Sequence, residues 1–239
     1  MTEQPKLRVL DLFSGIGAFS LGLERTGGFE TIAFSEIDPY ACAVLGKQFP
    51  GVTNIGDVTT AEFPDADVVS AGFPCTDLSS AGKRAGIAGP RSGLWREVVR
   101  AVRLVRPAYA VLENVEALLR RGLGKVLGDL ATNGYDAEWD CLPAAYIGAP
   151  HSRDRWFALA YPQRGKRWKE PYLRALGRMG RKQQSVPWDR KWQDALRELR
   201  GMDDGSAYRV DRVDTIRNSI VPQIPEIIGN AILQSRRAA

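Results

Sequence analysis

The sequence predicts a doubly wound α/β protein built on a mostly parallel sheet with one antiparallel strand. Three observations lead there. Apolar runs of strand length alternate with stretches of helical periodicity from Leu7 to Gly134. Several of these runs end abruptly on glycine, an acid or a thiol, the residue types that gather where such a sheet presents a ligand site. The last two runs are joined by a loop instead of a helix, which suits an antiparallel closing pair.

Taken in order, LRVLDLF (7–13) is an apolar run that stops at SGIGA, and FSLGLERTG then has helical spacing. TIAFSEID (31–38) reads as a second strand ending in acids, and DPYACAVLGKQFP continues as a helix. VTNIGDVTT (52–60) is a weaker third strand with Asp57 at its end. DADVVSAGF (65–73) is a fourth, closing on Pro74 and Cys75. The loop SSAGKRAGIAGPRSG leads to a helix over LWREVVRAVRLVR. AYAVLENV (108–115) is a fifth strand and VEALLRRGLGKVLGDLATNG a helix. YDAEWDCL and RWFALAYP are strands on either side of PAAYIGAPHSRD. No internal repeat or low-complexity tract interrupts this pattern.

The composition narrows the function classes. A chain of 239 residues, 44% hydrophobic and 26% charged, can bury one good core with room for a small second lobe. MTEQPKLRVLDLF has none of the sections of a signal peptide, and no apolar run approaches the roughly 18 residues that span a bilayer. Three cysteines (Cys42, Cys75, Cys141) without CxxC spacing, and His151 as the sole histidine, argue against a zinc site and for reduced thiols. The expectation is a cytoplasmic protein without a metal.

The net charge of +5 is unevenly spread. Residues 163–200 hold 12 Lys/Arg against 4 Asp/Glu, a balance of +8, so the rest sums to −3. That asymmetry, with Trp168, Trp188 and Trp192 in the same stretch, suits a lobe that meets a polyanion; a solvated helical insert is the plainer reading.

The strand ends carry the chemistry. DLFSGIGA puts a tight glycine turn between strand and helix, so that backbone can approach a ligand closely. Glu36 follows Gly15 by 21 residues at the next strand end, where a carboxylate can grip ribose hydroxyls, and Asp57 can accept from an adenine amino group. GIGAFS ends in Ser20 where a dinucleotide fingerprint has glycine, and there is no GKS or GKT phosphate loop. A nucleoside cofactor without a pyrophosphate is favoured over NAD. Cys75 is either a small core residue or a nucleophile, with Lys83, Arg84 and Arg91 nearby in sequence to favour its thiolate. Glu113 is either a helix cap or a proton donor held in apolar surroundings with a raised pKa. Arg153 and Arg155 alternate, so in extended chain both face one side, suiting an anion, a carbonyl oxygen or a surface ion pair.

The ordered set DLFSGIGAFSLGLE, SEIDPYA, GDVT, GFPCTDLS, RSGLW, LENV, GAPHSRDRWF and RNSIVPQ resembles the cytosine-5 DNA methyltransferase family of bacteria and phages, over residues 7 to about 235. The resemblance implies a Rossmann-like, S-adenosylmethionine-dependent sheet with a small variable recognition lobe. It implies a catalytic and cofactor-binding domain over 1–162, a short basic target-recognition region over 163–212, and a C-terminal motif and helix over 213–239 that return to the first strand. Cys75 is then the nucleophile, Glu113 the group on the base's ring nitrogen and amine, Arg155 the partner of its O2, and Arg153 a placer of base and loop. Phe13, Ser14, Gly15, Ile16 and Gly17 line the methionine and ribose end, and Glu36 holds the ribose. Ile37 lies on the adenine face, Asp57 and Val58 meet its edge, and Pro74 and Leu94 complete the wall. Asn218 and Ser219 return to the methionine end. Ser79, Lys83, Arg84 and Arg91 belong to the loop closing over opened duplex, with Lys166, Arg167 and Lys169 on the recognition lobe.

The implied reaction is methyl transfer from S-adenosylmethionine, leaving S-adenosylhomocysteine, to carbon 5 of a flipped-out cytosine in double-stranded DNA. A monomer is expected, and the resemblance leaves room for a cognate restriction enzyme. Thr76, His151 and Arg217 depart from the family pattern, which usually has glutamine, glutamine and glycine there. Arg217 bears on close backbone approach at the cofactor. The readings that remain beside the main one are a tRNA cytosine-5 methyltransferase and a catalytically weakened DNA-binding relative.

If Lys166, Arg167 and Lys169 neutralise phosphates, replacing all three with neutral residues weakens duplex binding and lowers the slope of log affinity against log salt by about 0.9 for each phosphate given up. An unchanged slope would remove this segment from the DNA-facing surface.

Overall fold

A computed structural model describes residues 5–74, 92–143, 154–163 and 220–237. Seven strands form one sheet: β1 (Leu7–Leu12), β2 (Phe29–Ser35), β3 (Thr53–Asn54), β4 (Val68–Gly72), β5 (Tyr109–Val115), β6 (Tyr135–Pro143) and β7 (Asp154–Pro162). Their spatial order is β3-β2-β1-β4-β5-β7-β6. β1 to β5 pair in parallel, while β7 runs antiparallel to both β5 and β6. The order reverses between β1 and β4, so the carboxyl ends of those two strands flank the crevice where such sheets bind ligands.

Among the described residues, six α-helices accompany the strands: α1 (Ala18–Arg25), α2 (Pro39–Gln48), α3 (Trp95–Val105), α4 (Leu118–Arg121), α5 (Leu123–Thr132) and α6 (Gln223–Arg237). Strand periodicity of two divides the buried side chains between two faces. Leu10, Leu12, Val69, Ala71, Ala110, Leu112, Ala158 and Ala160 pack with Trp95, Val98, Val102, Val126 and Leu130 of α3 and α5. The alternate positions Val9, Val68, Val111, Phe157 and Leu159 pack with Phe19 and Leu23 of α1 and Ile224, Ile228 and Ile232 of α6. Those three isoleucines recur every fourth residue, so one stripe of α6 meets α1 in the cluster that also holds Leu7 and Val9, and each buried side chain is worth roughly 1.5–3 kcal/mol.

Two elements differ from their expected extents. The third strand pairs only at Thr53 and Asn54, because Gly56 takes φ 75° and turns the chain out of the ladder. Asp57 therefore stands in a turn instead of at a strand end. The helix expected over 115–134 is two, since Val115 still pairs with Arg155 in β5–β7 and Gly122 is extended, with φ −168°, between α4 and α5. A register shift opposite Val9 and Leu10 also re-phases β2, so Phe29 and Ala33 face opposite layers although four residues apart. The described helices include none long and apolar enough to cross a membrane.

Candidate active site

The turn after β1 is shaped by backbone that side chains tolerate poorly. Phe13 has φ 54°, an uncommon conformation for a bulky residue, and Gly15 and Gly17 have φ 52° and 81°. A Cβ on Gly17 would lie 2.6 Å from Phe49 Cε2, so glycine is needed there for space as well as conformation. The Ser14 hydroxyl donates to the Asp11 carbonyl at 2.6 Å, and Gly17 N–H donates to the Ser14 carbonyl at 2.8 Å. Ile16 is half-buried in this turn.

Glu36, just past β2, closes over the turn. Its Oε2 accepts Gly15 N–H at 2.7 Å, and its Oε1 accepts the N–H groups of Ile37 and Asp38, both at 2.8 Å. Three of about four acceptor positions on the carboxylate are thus engaged by backbone. Ile37 is 70% exposed, an apolar side chain with no cover among the described residues. Asp57 Oδ1 accepts both the N–H and the hydroxyl of Thr59, at 2.8 and 2.9 Å, and these bonds hold its carboxyl below the ordinary carboxylate range. Val58 beside it is buried. The Val58 and Ala61 carbonyls are gripped from behind by Arg100 of α3, which is itself paired with Glu97 at 2.7 Å and stacked 4.3 Å from the Phe63 ring centre.

At the neighbouring strand ends, Glu113 of β5 and Arg155 of β7 form an ion pair, Nε to Oε1 2.8 Å, with side chains 10% and 18% exposed. They are diagonal neighbours on the face covered by α1 and α6, because Glu113 sits opposite Phe157 and Val115 opposite Arg155. Gly72 of β4 lies in register with Glu113, and a Cβ there would be 3.2 Å from Glu113 Oε2. Glycine at 72 makes room for the carboxylate. Glu113 is therefore not a helix cap, and it is ion-paired instead of isolated among apolar groups. Asn114, fully buried, donates from Nδ2 to the Phe73 carbonyl at 3.2 Å, anchoring the chain just before Pro74. Phe73 packs on Trp95 with ring centres 5.0 Å apart, and Leu94 joins the same cluster.

Between these regions lies Asp11 of β1, wholly buried. It receives the Ser70 hydroxyl of β4 at 2.7 Å and the Ser20 hydroxyl of α1 at 2.9 Å. The Ser20 backbone N–H adds a further bond, so Asp11 does for α1 what its cap residue Gly17, lacking a side chain, cannot. Burial nevertheless pushes the Asp11 carboxyl up to about 7.

The structure thus gathers Phe13 to Gly17, Glu36 and Ile37 around one turn, Asp57 and Val58 in the next, and Glu113 and Arg155 at the central strand ends, with Pro74 just past β4 and Leu94 in the opposite layer, beside Trp95. Cys75, Ser79, Lys83, Arg84, Arg91, Arg153, Lys166, Arg167, Lys169, Asn218 and Ser219 lie outside the described residues, as do Thr76, His151, Arg217 and the recognition region beyond residue 163. Sequence reasoning missed Asp11, Asn54, Arg100 and Asn114. Only Asp11 had a local signal, an acid set between leucines in the first strand.

A mostly parallel seven-stranded sheet with one reversed strand, a glycine turn after β1 and an acid after β2 define a doubly wound α/β protein with a ligand crevice at its switch point. The solved structures with this fold include a Dnmt2 methyltransferase from S. pombe, with TM-score 0.57 and 24% identity, over 68% of this chain and 53% of that one. A putative DNA modification methyltransferase from an E. coli prophage has TM-score 0.56 and 25% identity, over 66% and 47%. The family model for C-5 cytosine-specific DNA methylase matches residues 7–220, and the chain belongs to that family. Similar relatives include the type II methyltransferase M2.BsuMI of Bacillus subtilis, 40% identical over 64% of this chain and 42% of its own length. The type II methyltransferase M.HgiCII of Herpetosiphon aurantiacus is 36% identical over 66% and 38%, and the orphan methyltransferase M.SPRI of Bacillus phage SPR 32% over 64% and 37%. The chain thus aligns with roughly two fifths of the length of these relatives.

The Asp11 carboxyl makes stability pH-dependent. Its folded pKa, about 7, lies above the ordinary 3.8, so its contribution is complete below about pH 4 and is lost as pH rises through 7. In urea unfolding from pH 4.5 to 8, Asp11→Asn gains stability relative to the parent protein as pH rises, by a total on the order of a few kcal/mol. A pH-independent difference between the two proteins would mean that Asp11 does not titrate in this range.

Proposed function

We propose that this chain transfers a methyl group from S-adenosylmethionine to carbon 5 of a cytosine flipped out of duplex DNA, through a covalent adduct on Cys75. The observation that carries the reading is the Glu113–Arg155 pair, set beside the end of β4 at Gly72, three residues before Cys75 in the sequence. Family membership supports the reaction class.

The residues present suit the cofactor. Glu36 keeps one acceptor position for a ribose hydroxyl and can exchange Gly15 N–H for a second. Ile37 offers an uncovered apolar face to adenine, and Asp57 Oδ2 has no bond among the described residues and can accept from the amino group. The glycine turn admits the methionine end, which Asn218 and Ser219 would complete. S-adenosylmethionine supplies an electrophilic methyl group on a sulfonium.

Carbon 5 of cytosine is too weak a nucleophile to take that group unaided. The Cys75 thiolate adds to carbon 6, and the displaced ring electrons raise the electron density at carbon 5. Glu113 meets the ring nitrogen and exocyclic amine, favouring protonation of the nitrogen as the thiolate adds. Arg155 keeps its Nε on Glu113 and turns a terminal nitrogen to O2. Arg153 places the base. Once carbon 5 is methylated it loses its proton, and the Cys75 sulfur leaves with the bonding electrons, restoring the ring. The cytosine must leave the stack for this chemistry, with Ser79, Lys83, Arg84 and Arg91 closing on the opened duplex. The basic lobe over 163–212 reads the site.

The test uses tritiated S-adenosylmethionine, duplex DNA of mixed sequence and the same DNA carrying 5-fluorocytosine, with tRNA in parallel. Label in normal DNA, together with a denaturation-resistant complex on fluorinated DNA that Cys75→Ser abolishes, is the expected result. Label only in tRNA would overturn the substrate, and undiminished turnover by Cys75→Ser would overturn the nucleophile.

Glu113→Gln keeps the size of the side chain but not its charge or its proton. Single-turnover methyl transfer is expected to slow by on the order of a hundredfold or more, with DNA affinity little changed. A rate within a few fold of the parent would leave Glu113 a structural partner of Arg155.

A further inference from the structure

Outside the expected site residues, one densely bonded polar side chain is that of Asn54, the second and last residue of β3. Its Oδ1 accepts the Glu36 N–H and the Gly56 N–H, each at 3.1 Å. Its Nδ2 donates to the Glu36 carbonyl at 3.0 Å and to the Cys42 sulfur at 3.2 Å. All four hydrogen-bonding positions of the amide are thereby filled, although the residue is exposed. The backbone ladder stops at Phe34–Asn54, followed by Ile55 N–H to the Phe34 carbonyl at 2.7 Å. Beyond it the Asn54 amide takes both backbone groups of Glu36, as one more strand residue would.

We propose that Asn54 is a positioning residue for the ribose-binding carboxylate: it clamps the Glu36 backbone to the Gly56–Asp57 turn and so aims the Glu36 side chain at the glycine turn. The proposal rests on the reading of Glu36 as the ribose ligand. Two further contacts converge on the same clamp. The Cys42 thiol donates to the Glu36 carbonyl at 3.4 Å, and the Ser35 hydroxyl donates to the Gly56 carbonyl at 2.7 Å. Burial and the nearby Glu36 and Asp38 charges raise the Cys42 pKa, so the sulfur stays protonated and keeps that donor. Asn54 has no donor or acceptor left for the ligand, so its effect on binding must pass through Glu36. Without the amide, the Glu36 N–H loses its partner and the Glu36 carbonyl keeps only the Cys42 thiol, so the carboxylate has a less firmly fixed origin.

The discriminating probe is S-adenosylhomocysteine against its analogue lacking both ribose hydroxyls, titrated calorimetrically into the full chain. The parent protein is expected to prefer the hydroxylated ligand by tenfold or more, as hydrogen bonds to a charged group imply. In Asn54→Ala, affinity for S-adenosylhomocysteine falls about tenfold, affinity for the analogue holds within about twofold, and the preference collapses. Asn54→Ser, a milder change, loses part of the preference. In a Glu36→Ala background, Asn54→Ala has no further effect, because both act through one carboxylate. Unaltered analogue binding shows in the same titration that the variant is folded. Equal losses for both ligands, additive losses in the double variant, or a preference unchanged in Asn54→Ala would each overturn the proposal. A parent protein that binds both ligands alike, or neither, would instead overturn the ribose reading of Glu36 on which it stands.

Discussion

An acid stands at the centre of the sheet, shielded from water, and three elements are fitted around it. The Asp11 carboxyl takes Ser70 from β4 and Ser20 from α1, and its own backbone carbonyl takes the Ser14 hydroxyl. Burying an acid is unfavourable unless its oxygens are bonded, so the energetic demand of this one residue fixes how β1, β4 and the start of α1 meet. The two strand ends at the switch point are those same strands. Their relative position, and with it the crevice between the glycine turn and Pro74, follows from satisfying Asp11.

From that centre the site extends by backbone capture more than by side-chain packing. Glu36 receives three N–H groups, Asp57 one N–H and a hydroxyl, and Arg100 grips the Val58 and Ala61 carbonyls. Each bond pins a turn that has no regular ladder of its own. Beyond the two-residue β3, the rim from residue 54 to 61 is irregular backbone, and irregular backbone is rigid only where its polar groups are bound. This makes the rim sensitive to single side chains that never reach a ligand.

That arrangement also explains which parts of the molecule were legible in the sequence. The ends of the first, second, fourth and fifth strands, expected at Phe13, Asp38, Phe73 and Val115 and found at Leu12, Ser35, Gly72 and Val115, were readable to within three residues because apolar runs break off there, and the pattern is local. Gly15, Glu36 and Glu113 were readable for the same reason. Asn54 and Arg100 were not, because their partners lie 18 and about 40 residues away and no local periodicity marks them. Arg100 reads as one more charge on an amphipathic helix. The third strand was overextended because VTNIGDVTT has strand composition, whereas Gly56 at positive φ and the Asn54 side chain end the pairing after two residues. The two isolated roles assigned to Glu113, cap or unpaired acid, omitted an ion pair formed across β5 and β7, a pairing of strands that sequence order alone does not give.

The pairing of Glu113 with Arg155 changes what the site can do. Either charge alone, with side chains 10% and 18% exposed, would be poorly solvated; removing one partner of a buried pair commonly costs about 3–5 kcal/mol. Held together, the two groups persist at the crevice without a ligand, and the antiparallel ladder sets their separation before any ligand arrives. A planar ligand edge entering there would meet an acceptor and a donor side by side, one complementary to an amine and the other to a carbonyl oxygen. Because both side chains stand on strands and Gly72 leaves the carboxylate its space, little reorganisation is needed on entry. Preorganisation of this kind favours a planar ligand whose donor and acceptor are adjacent on one edge, and it disfavours ligands that present only one of the two, since these would leave a charge half-buried and partly unmatched.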